Sequence, residues 1–334
     1  MKRKALALLL FSIMIFSLIP ITAHAATIAS GTCGPNLKWT LDDNGVFTVS
    51  GTGEMDSFDW IEACDPDYKS WQLYTYQITS VVIKEGVSKI GDYAFIDCPY
   101  MTSVTIPSTV TTIGAYAFEH CKALTNVTIP NSVTSIGDGA FMSCDGLKSV
   151  SLSDAMTSIS VNLFWECTSL TSVSIPDSVT EIEGGAFSQT SLTSISVPNS
   201  VTAIRVGAFN LCTNLISISI PDSVTNIGYK AFGNCPSLSY VYYAGSADDW
   251  TKISIDDEND YLTNATIHYA RHSSSGTSSP NNTVPPACSL SELTTVDYLA
   301  FSHLAYSDFK NVSEITSVQS FLGDKWEKTW SADI

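Results

Sequence analysis

Apolar positions recur along most of this chain with a period close to 23 residues. In one typical unit, Leu124, Val127 and Ile129 predict a short strand that ends at Pro130, which has no amide hydrogen to donate. A second apolar pair, a glycine turn and an Ala-Phe pair complete the unit. The leading apolar residue returns at steps of 23 residues, with one step of 22, at Ile78, Met101, Leu124, Leu147, Leu170, Leu192, Leu215 and Leu238.

Two further columns follow the same period, and both are predicted to lie in the core. They are the phenylalanines Phe95, Phe118, Phe141, Phe164, Phe187, Phe209 and Phe232, and the cysteines Cys98, Cys121, Cys144, Cys167, Cys212 and Cys235. A unit of this length is too small to bury its own apolar face, so the units must stack on one another. The pattern predicts a β-rich solenoid whose coils lie about 4.8 Å apart.

The elements Ile-Pro, Ile-Gly and Ala-Phe-x-x-Cys resemble the BspA-like leucine-rich repeats of bacterial and protozoan surface proteins, over about residues 26–270. The departures are few. Ser153 replaces the proline, Leu163 replaces the alanine before Phe164, and the coil around Phe187 lacks one residue and its cysteine. The resemblance implies a leucine-rich-repeat solenoid with short parallel strands, acting as a secreted or surface-attached interaction module rather than an enzyme.

Six segments are expected: a signal peptide (1–25), an N-terminal cap (26–77), the repeats (78–243), a C-terminal cap (244–270), a flexible linker (271–288) and a short helical fragment (289–334). In the N-terminal cap, alternating apolar residues around Asn44-Gly45 predict a hairpin with a two-residue turn that covers the first coil. Trp60 and Trp71 are expected to pack over this cap. The linker is rich in Ser, Thr, Pro and Asn.

The first residues predict export. Three cations, Lys2, Arg3 and Lys4, precede an apolar run, and Ala23-His24-Ala25 provides small residues for cleavage after Ala25. Removing these cations changes the formal net charge from −17 to −20. Such a charge disfavours nucleic acid and anionic lipid as partners. No later segment is apolar enough to span a membrane, so the mature chain is expected to be secreted or at the cell surface.

The cysteines allow two interpretations. A column of stacked cysteines could be a metal-binding or redox ladder, but equivalent Cβ atoms about 4.8 Å apart are too distant for the roughly 3.8 Å of a disulfide. Small apolar filling of the core is the preferred interpretation. Cys33 and Cys64 lie in the cap of an exported protein and could form a disulfide. Cys288 has no evident partner.

Two surfaces could meet a ligand. One is the exposed side of the strands, where small hydroxyl residues recur at Thr102, Ser103, Thr105, Thr125, Thr128, Ser149, Ser151, Thr171, Ser172 and Ser174, together with Asn126 and Lys148. Solvent-facing strand residues explain these adequately. The other surface lies just before each repeat phenylalanine, where residues vary from coil to coil. It is either a recognition surface or a set of unconstrained loop positions, and its candidate binding residues are Tyr93, Tyr116 and Tyr229.

No cofactor is expected. Asp256, Asp257, Glu258 and Asp260 could bind Ca²⁺, but their spacing matches no ordered loop, so an exposed acidic turn is preferred. Residues 293–309 faintly resemble the start of lipase-like α/β-hydrolase domains, although the chain contains no Gly-x-Ser-x-Gly. The predicted function is therefore non-catalytic binding of an extracellular protein or glycan. The alternatives are the targeting half of a truncated hydrolase, or a structural spacer.

Overall fold

The structure, a computed structural model, describes residues 25–59 and 71–271. Within these residues the chain winds into successive coils, and parallel strands of neighbouring coils pair along two faces. The predicted solenoid of short parallel strands is confirmed. The helical fragment lies outside the described residues, as do the signal peptide and the linker apart from Ala25 and Arg271. Trp60, Cys64 and Cys288 also lie outside them.

The N-terminal cap begins with three antiparallel strands, at Thr27–Gly34, Leu37–Asp42 and Val46–Gly51. The hairpin between the last two has a three-residue loop, so the predicted two-residue turn is wrong. The longer loop is stabilised by Asp42, whose Oδ1 accepts hydrogen bonds from the amides of Asn44 at 3.0 Å and Val46 at 2.9 Å. The last strand pairs in parallel with the first coil and covers its edge.

Each regular coil contributes one strand to a first face and a shorter strand to a second face. The first-face strands are Ser80–Ile83, Ser103–Thr105, Asn126–Thr128, Ser149–Ser151, Ser194–Ser196, Ser217–Ile220, Tyr240–Ser246 and Thr266–Arg271. The second-face strands are Gly53–Glu54, Val87–Ile90, Thr112–Ile113, Ser135–Ile136, Ser158–Ile159, Glu181–Ile182, Ala203–Ile204, Asn226–Ile227 and Ser254–Ile255. Among the described coils, the one containing residues 172–174 forms no first-face strand. This coil follows the one that contains Ser153, and its own turn after Phe187 is one residue shorter than in the other coils.

The third side of each coil is a double turn around the buried Ala-Phe pair. The phenylalanine amide donates to the next coil, as Phe95 does to the Ala117 carbonyl at 2.8 Å. Two positions in every turn have positive φ and form two columns along the solenoid. The first column is Tyr93, Tyr116, Gly139, Asn162, Gly185, Gly207 and Lys230, and the second is Asp97, His120, Ser143, Glu166, Gln189, Leu211 and Asn234. This backbone conformation favours Gly and Asn over bulky residues.

The seven repeat phenylalanines are fully buried and form one continuous stack. Neighbouring ring centroids are 5.2–6.0 Å apart, with interplanar angles of 7–18°. At the N-terminal end Phe47 meets Phe95 edge-on at 5.6 Å, and Trp39 and Trp71 pack against Phe47. The Trp71 indole donates a hydrogen bond to the Ala94 carbonyl at 2.8 Å. The cap therefore closes the end of the stack with aromatic rings.

The repeat cysteines are also buried, and most of them do more than fill space. Five thiols donate to the carbonyl of the phenylalanine one coil earlier, at 3.1–3.3 Å: Cys121 to Phe95, Cys144 to Phe118, Cys167 to Phe141, Cys212 to Phe187 and Cys235 to Phe209. Burial raises the pKa of Cys144 and of Cys235 to about 12, so these thiols keep the proton that they donate. The column consists of free thiols that hydrogen-bond adjacent coils to each other.

In each of the two irregular coils a hydroxyl residue stands where the repeat has another residue, and in one of them it restores a lost contact. In most coils a Ser or Thr two residues after the proline donates to a carbonyl of the preceding coil, as Ser132 does to Val110 at 2.7 Å. Ala155 occupies that position in the next coil and has no hydroxyl. Ser153, which replaces the proline of that coil, donates instead to the Val133 carbonyl at 2.6 Å. In the shorter coil, Thr190 takes the place of the cysteine, but its hydroxyl donates within its own turn, to the Phe187 carbonyl at 2.8 Å, and not to the preceding coil.

The C-terminal end is closed by one more irregular coil. It contains the helices Ala247–Trp250 and Asp260–Thr263, and its last strand, Thr266–Arg271, pairs with Tyr240–Ser246. The buried side chain of Asn259 ends the ladder of the third side. Its Oδ1 accepts from the Phe232 amide at 2.9 Å, where earlier coils use a backbone carbonyl, and its Nδ2 donates to Gly228 at 3.0 Å.

Candidate recognition surface

Tyr93 and Tyr116 form a stacked pair at the surface of the third side. Their ring centroids are 5.0 Å apart and their planes differ by 17°. Both backbones are left-handed, with φ of 56° and 53°, and both side chains are partly exposed. The next residue of the column is Gly139, and a Cβ there would lie 2.4 Å from the Tyr116 ring. The absence of a side chain at Gly139 therefore makes room for the Tyr116 ring.

Tyr229 is not part of this pair. Lys230 occupies the left-handed column, so Tyr229 belongs to the neighbouring column, with Asp92 and Ala115. Five coils separate it from Tyr116, which is about 24 Å at the spacing of paired strands. The Tyr229 side chain is 43% exposed, and Lys230 Nζ lies 5.3 Å from its ring centroid. The structure brings together two of the three tyrosines that the sequence suggested.

The surroundings of the pair are acidic. The pKa of Tyr93 is raised by burial, then by Tyr116, Glu119, Asp92 and Asp59. For Tyr116 the pKa is raised by burial, then by Asp138 and Glu119. The four charged groups that raise these pKa values are all carboxylates. The pair therefore stands in a region of negative potential.

Glu119 is the residue that the sequence analysis missed. It is only 4% exposed, and within the described residues its carboxylate accepts no hydrogen bond. Its nearest cation is His120, whose Nε2 lies 4.0 Å from Oε1, while His120 Nδ1 faces Asp97 at 3.0 Å. Burial raises the pKa of Glu119, which His120 opposes and Asp97 reinforces. A signal was present, because Ile96 and Met142 occupy the equivalent positions of the adjacent coils.

The exposed side of the first face is a ladder of small hydroxyl residues, as the sequence suggested, and it ends in aromatic residues. Ser217 pairs with Tyr240, and Tyr242 pairs with His268 on the last strand. The Tyr242 and His268 rings stack at 5.1 Å, and Tyr240 is 43% exposed. The structure places this aromatic end on the same face as the hydroxyl ladder.

Other candidate sites are less developed. Cys33 is buried in the first cap strand, and its pKa is raised to about 12 by burial and by Asp56. Its suggested partner, Cys64, is not described. In residues 25–59 and 71–271, no three His, Cys, Asp or Glu side chains come together in a way that could hold a metal ion. Over the same residues, no helix has the length and apolar character needed to cross a membrane.

Comparison with known families agrees with this geometry. A family model for the BspA type leucine rich repeat region matches six copies, in residues 70–190 and 139–259. This chain belongs to the BspA-type leucine-rich repeat family. The match ends before the tail, so the resemblance of residues 293–309 to hydrolase domains has no support from it. Among proteins with curated functions, none matches this leucine-rich repeat chain.

The chain is also similar to solved structures of leucine-rich repeat proteins. One from Eubacterium ventriosum is 22% identical and covers 73% of this chain and 86% of its own, with a TM-score of 0.32. The T. pallidum protein TpLRR is 23% identical and covers 62% of this chain and 91% of its own, with a TM-score of 0.46. A third, from Bacteroides ovatus, is 21% identical and covers 74% and 78%, with a TM-score of 0.39.

Proposed function

We propose that this chain is a secreted or surface-attached module that binds an extracellular protein or glycan and catalyses no reaction. Membership of a leucine-rich repeat family supports a repeat-based interaction module. The export pattern at residues 1–25 supports an extracellular location, and the net charge of −17 disfavours nucleic acid and anionic membranes.

The observation that carries the proposal is the Tyr93–Tyr116 pair. A bulky residue with positive φ costs about 1–3 kcal/mol, and Gly139, Gly185 and Gly207 avoid that cost in the same column. Stacking of the two rings returns about 0.5–1.5 kcal/mol, less than two such penalties. Partial burial of the rings offsets more of this cost, and the stacking holds both rings in one arrangement at the surface. Partly exposed tyrosines are frequent anchors of protein interfaces, which favours a role in recognition.

The test is binding by the purified chain to extracellular-matrix proteins, mucin glycans and cell-wall polymers. The informative variant is Tyr93→Asn with Tyr116→Asn, because Asn162 already occupies this column and the backbone should be retained. We expect saturable binding of at least one member of the panel, weakened about tenfold or more in the double variant. If the double variant binds as tightly as the unchanged chain, this surface is rejected as the binding site. If the folded chain binds no member of the panel, the whole proposal is rejected.

The aromatic end of the first face supports a second candidate, a glycan that lies along the hydroxyl ladder. Tyr240, Tyr242 and His268 supply ring faces beside Ser219, whose partly exposed hydroxyl could hydrogen-bond to a sugar hydroxyl. The matched variants are Tyr240→Ser and Tyr242→Ser, since serine is the residue of the preceding coil at both positions. Glycan binding that is lost in these variants, and retained in Tyr93→Asn with Tyr116→Asn, would favour this face.

A further inference from the structure

The chemistry around Tyr93 and Tyr116 also indicates which class of ligand this surface accepts. The nearby full charges that act on the two rings are those of Asp59, Asp92, Glu119 and Asp138. All four of these groups are carboxylates. Negative potential on partly exposed aromatic rings favours a cation over a neutral or anionic group.

Glu119 provides an independent observation. Its carboxylate is 4% exposed and, within the described residues, accepts no hydrogen bond; the nearest side-chain nitrogen that can carry a positive charge is His120 Nε2, at 4.0 Å. A buried and weakly compensated carboxylate costs free energy that a cation brought close to it would recover. Because Glu119 acts on both phenols, a cation bound at the pair would also be attracted by this charge.

The same surface shows such a contact at its other end. Lys230 stands in the left-handed column that Tyr93 and Tyr116 occupy, and its ammonium group lies 5.3 Å from the Tyr229 ring centroid. This distance is within the range of a cation–π interaction. The chain itself thus places a lysine against a tyrosine at Tyr229, whereas at the Tyr93–Tyr116 pair the neighbouring charges are carboxylates.

We propose that Tyr93 and Tyr116, with Asp92 and Asp138, bind a lysine or arginine side chain in a basic segment of a partner protein. This inference rests on the proposed function and specifies the partner's chemistry. The cation lies against the exposed parts of the two rings, and the carboxylates pair with it. A neutral glycan would use the rings but leave the carboxylates without a counter-charge, and an acidic partner would be repelled.

The experiment measures binding of three fluorescent peptides to the purified chain by anisotropy at 150 mM NaCl. One peptide carries four lysines separated by serines, the second replaces the lysines with norleucine, and the third replaces them with glutamate. We expect saturable binding of the lysine peptide only. The change Tyr93→Asn with Tyr116→Asn should weaken it about tenfold, and Asp138→Asn should weaken it about threefold.

Two comparison variants separate this site from general attraction to an acidic surface. Tyr229→Val introduces the residue found at the equivalent position of the preceding coil, Val206. It removes a tyrosine whose ring already contacts the ammonium group of Lys230. Asp177→Asn removes a remote exposed carboxylate. Both should change the affinity for the lysine peptide less than twofold. If Asp177→Asn weakens binding as much as Asp138→Asn, or if the double tyrosine variant binds normally, the cation site is rejected.

A competition experiment distinguishes failure of this inference from failure of the proposed function. The extracellular ligand found in the panel is bound first, and the lysine peptide is then added as a competitor. Displacement by the lysine peptide and not by the norleucine peptide supports the inference. A panel ligand that depends on Tyr93 and Tyr116 but resists the lysine peptide would retain the proposed function and refute the cation site.

Discussion

The continuous phenylalanine stack makes a quantitative prediction about coupling between coils. Phe141 is fully buried and lies between Phe118, at 5.3 Å and 7°, and Phe164, at 6.0 Å and 14°. Phe141→Ala removes both contacts and leaves a cavity, so it should lower the free energy of unfolding by about 3–5 kcal/mol. Phe141→Leu retains much of the volume and should cost far less, about 1–1.5 kcal/mol.

A double-mutant cycle isolates the contact between neighbouring rings. Phe141 and Phe164 share one stacking contact, which is worth about 0.5–1.5 kcal/mol. Changing both to alanine should therefore cost less than the sum of the single changes by about that amount. Phe141 and Phe209 have two rings between them, so their changes should add within about 0.5 kcal/mol.

The assay is urea unfolding followed by both far-ultraviolet circular dichroism and tryptophan fluorescence, whose transitions must coincide for each variant. A loss below 1 kcal/mol for Phe141→Ala would show that the ring is not buried, and the assignment of the core column would be wrong. An equal coupling free energy for the adjacent and the separated pair would show that the coupling does not depend on direct contact between neighbouring rings.

Three further predictions follow from single side chains. Ser153→Ala leaves the Val133 carbonyl without its hydroxyl donor and should cost about 1–2 kcal/mol in urea unfolding, whereas adding Ala155→Ser should recover much of this loss by restoring the usual donor. If Ala155→Ser recovers no stability, the Ser153 hydroxyl does not replace the hydroxyl that most coils have at the position of Ala155. Cys144 and Cys235 have pKa values raised from 9.0 to about 12, so unfolding releases their protons and stability should fall as the pH rises from about 9 towards 12. Cys144→Ala should reduce the slope of stability against pH by up to about 1.4 kcal/mol per pH unit, and an unchanged slope would contradict it. Burial raises the pKa of Glu119, so its contribution to stability is present at acidic pH and is lost as the pH rises through the raised value. Glu119→Met, which copies Met142, should raise the melting temperature at pH 7 and have a smaller effect at pH 4; a lower melting temperature at pH 7 would show that the carboxylate is compensated.

Much of the fold could be predicted from the sequence because its stabilising contacts repeat. Each coil must bury the same apolar columns, so the period of about 23 residues and the positions of Phe141 and Cys144 in the core follow from counting. Turn chemistry was less predictable. Asn44-Gly45 suggested a two-residue turn, but the carboxylate of Asp42 stabilises a longer loop, and local propensity does not include that contact.

The candidate site was predicted only in part, because it depends on which residues of different coils become neighbours. Tyr93 and Tyr116 are 23 residues apart and share a column, whereas Tyr229 lies one position earlier in its coil and faces a different neighbour. Glu119 was missed, although the apolar Ile96 and Met142 at the equivalent positions of the adjacent coils indicated that this position is buried.

The solenoid, its core columns and its acidic character could be predicted from the amino-acid sequence, since each is a sum over many equivalent positions. Contacts that occur once became visible in the folded chain, such as the hydrogen bond by which Ser153 replaces the hydroxyl missing at Ala155, and the closure of the third side by Asn259. Such contacts join residues more than 19 positions apart, and a difference of one residue in register changes the partner. Periodicity specifies the average coil, whereas recognition and closure depend on the coils that depart from it.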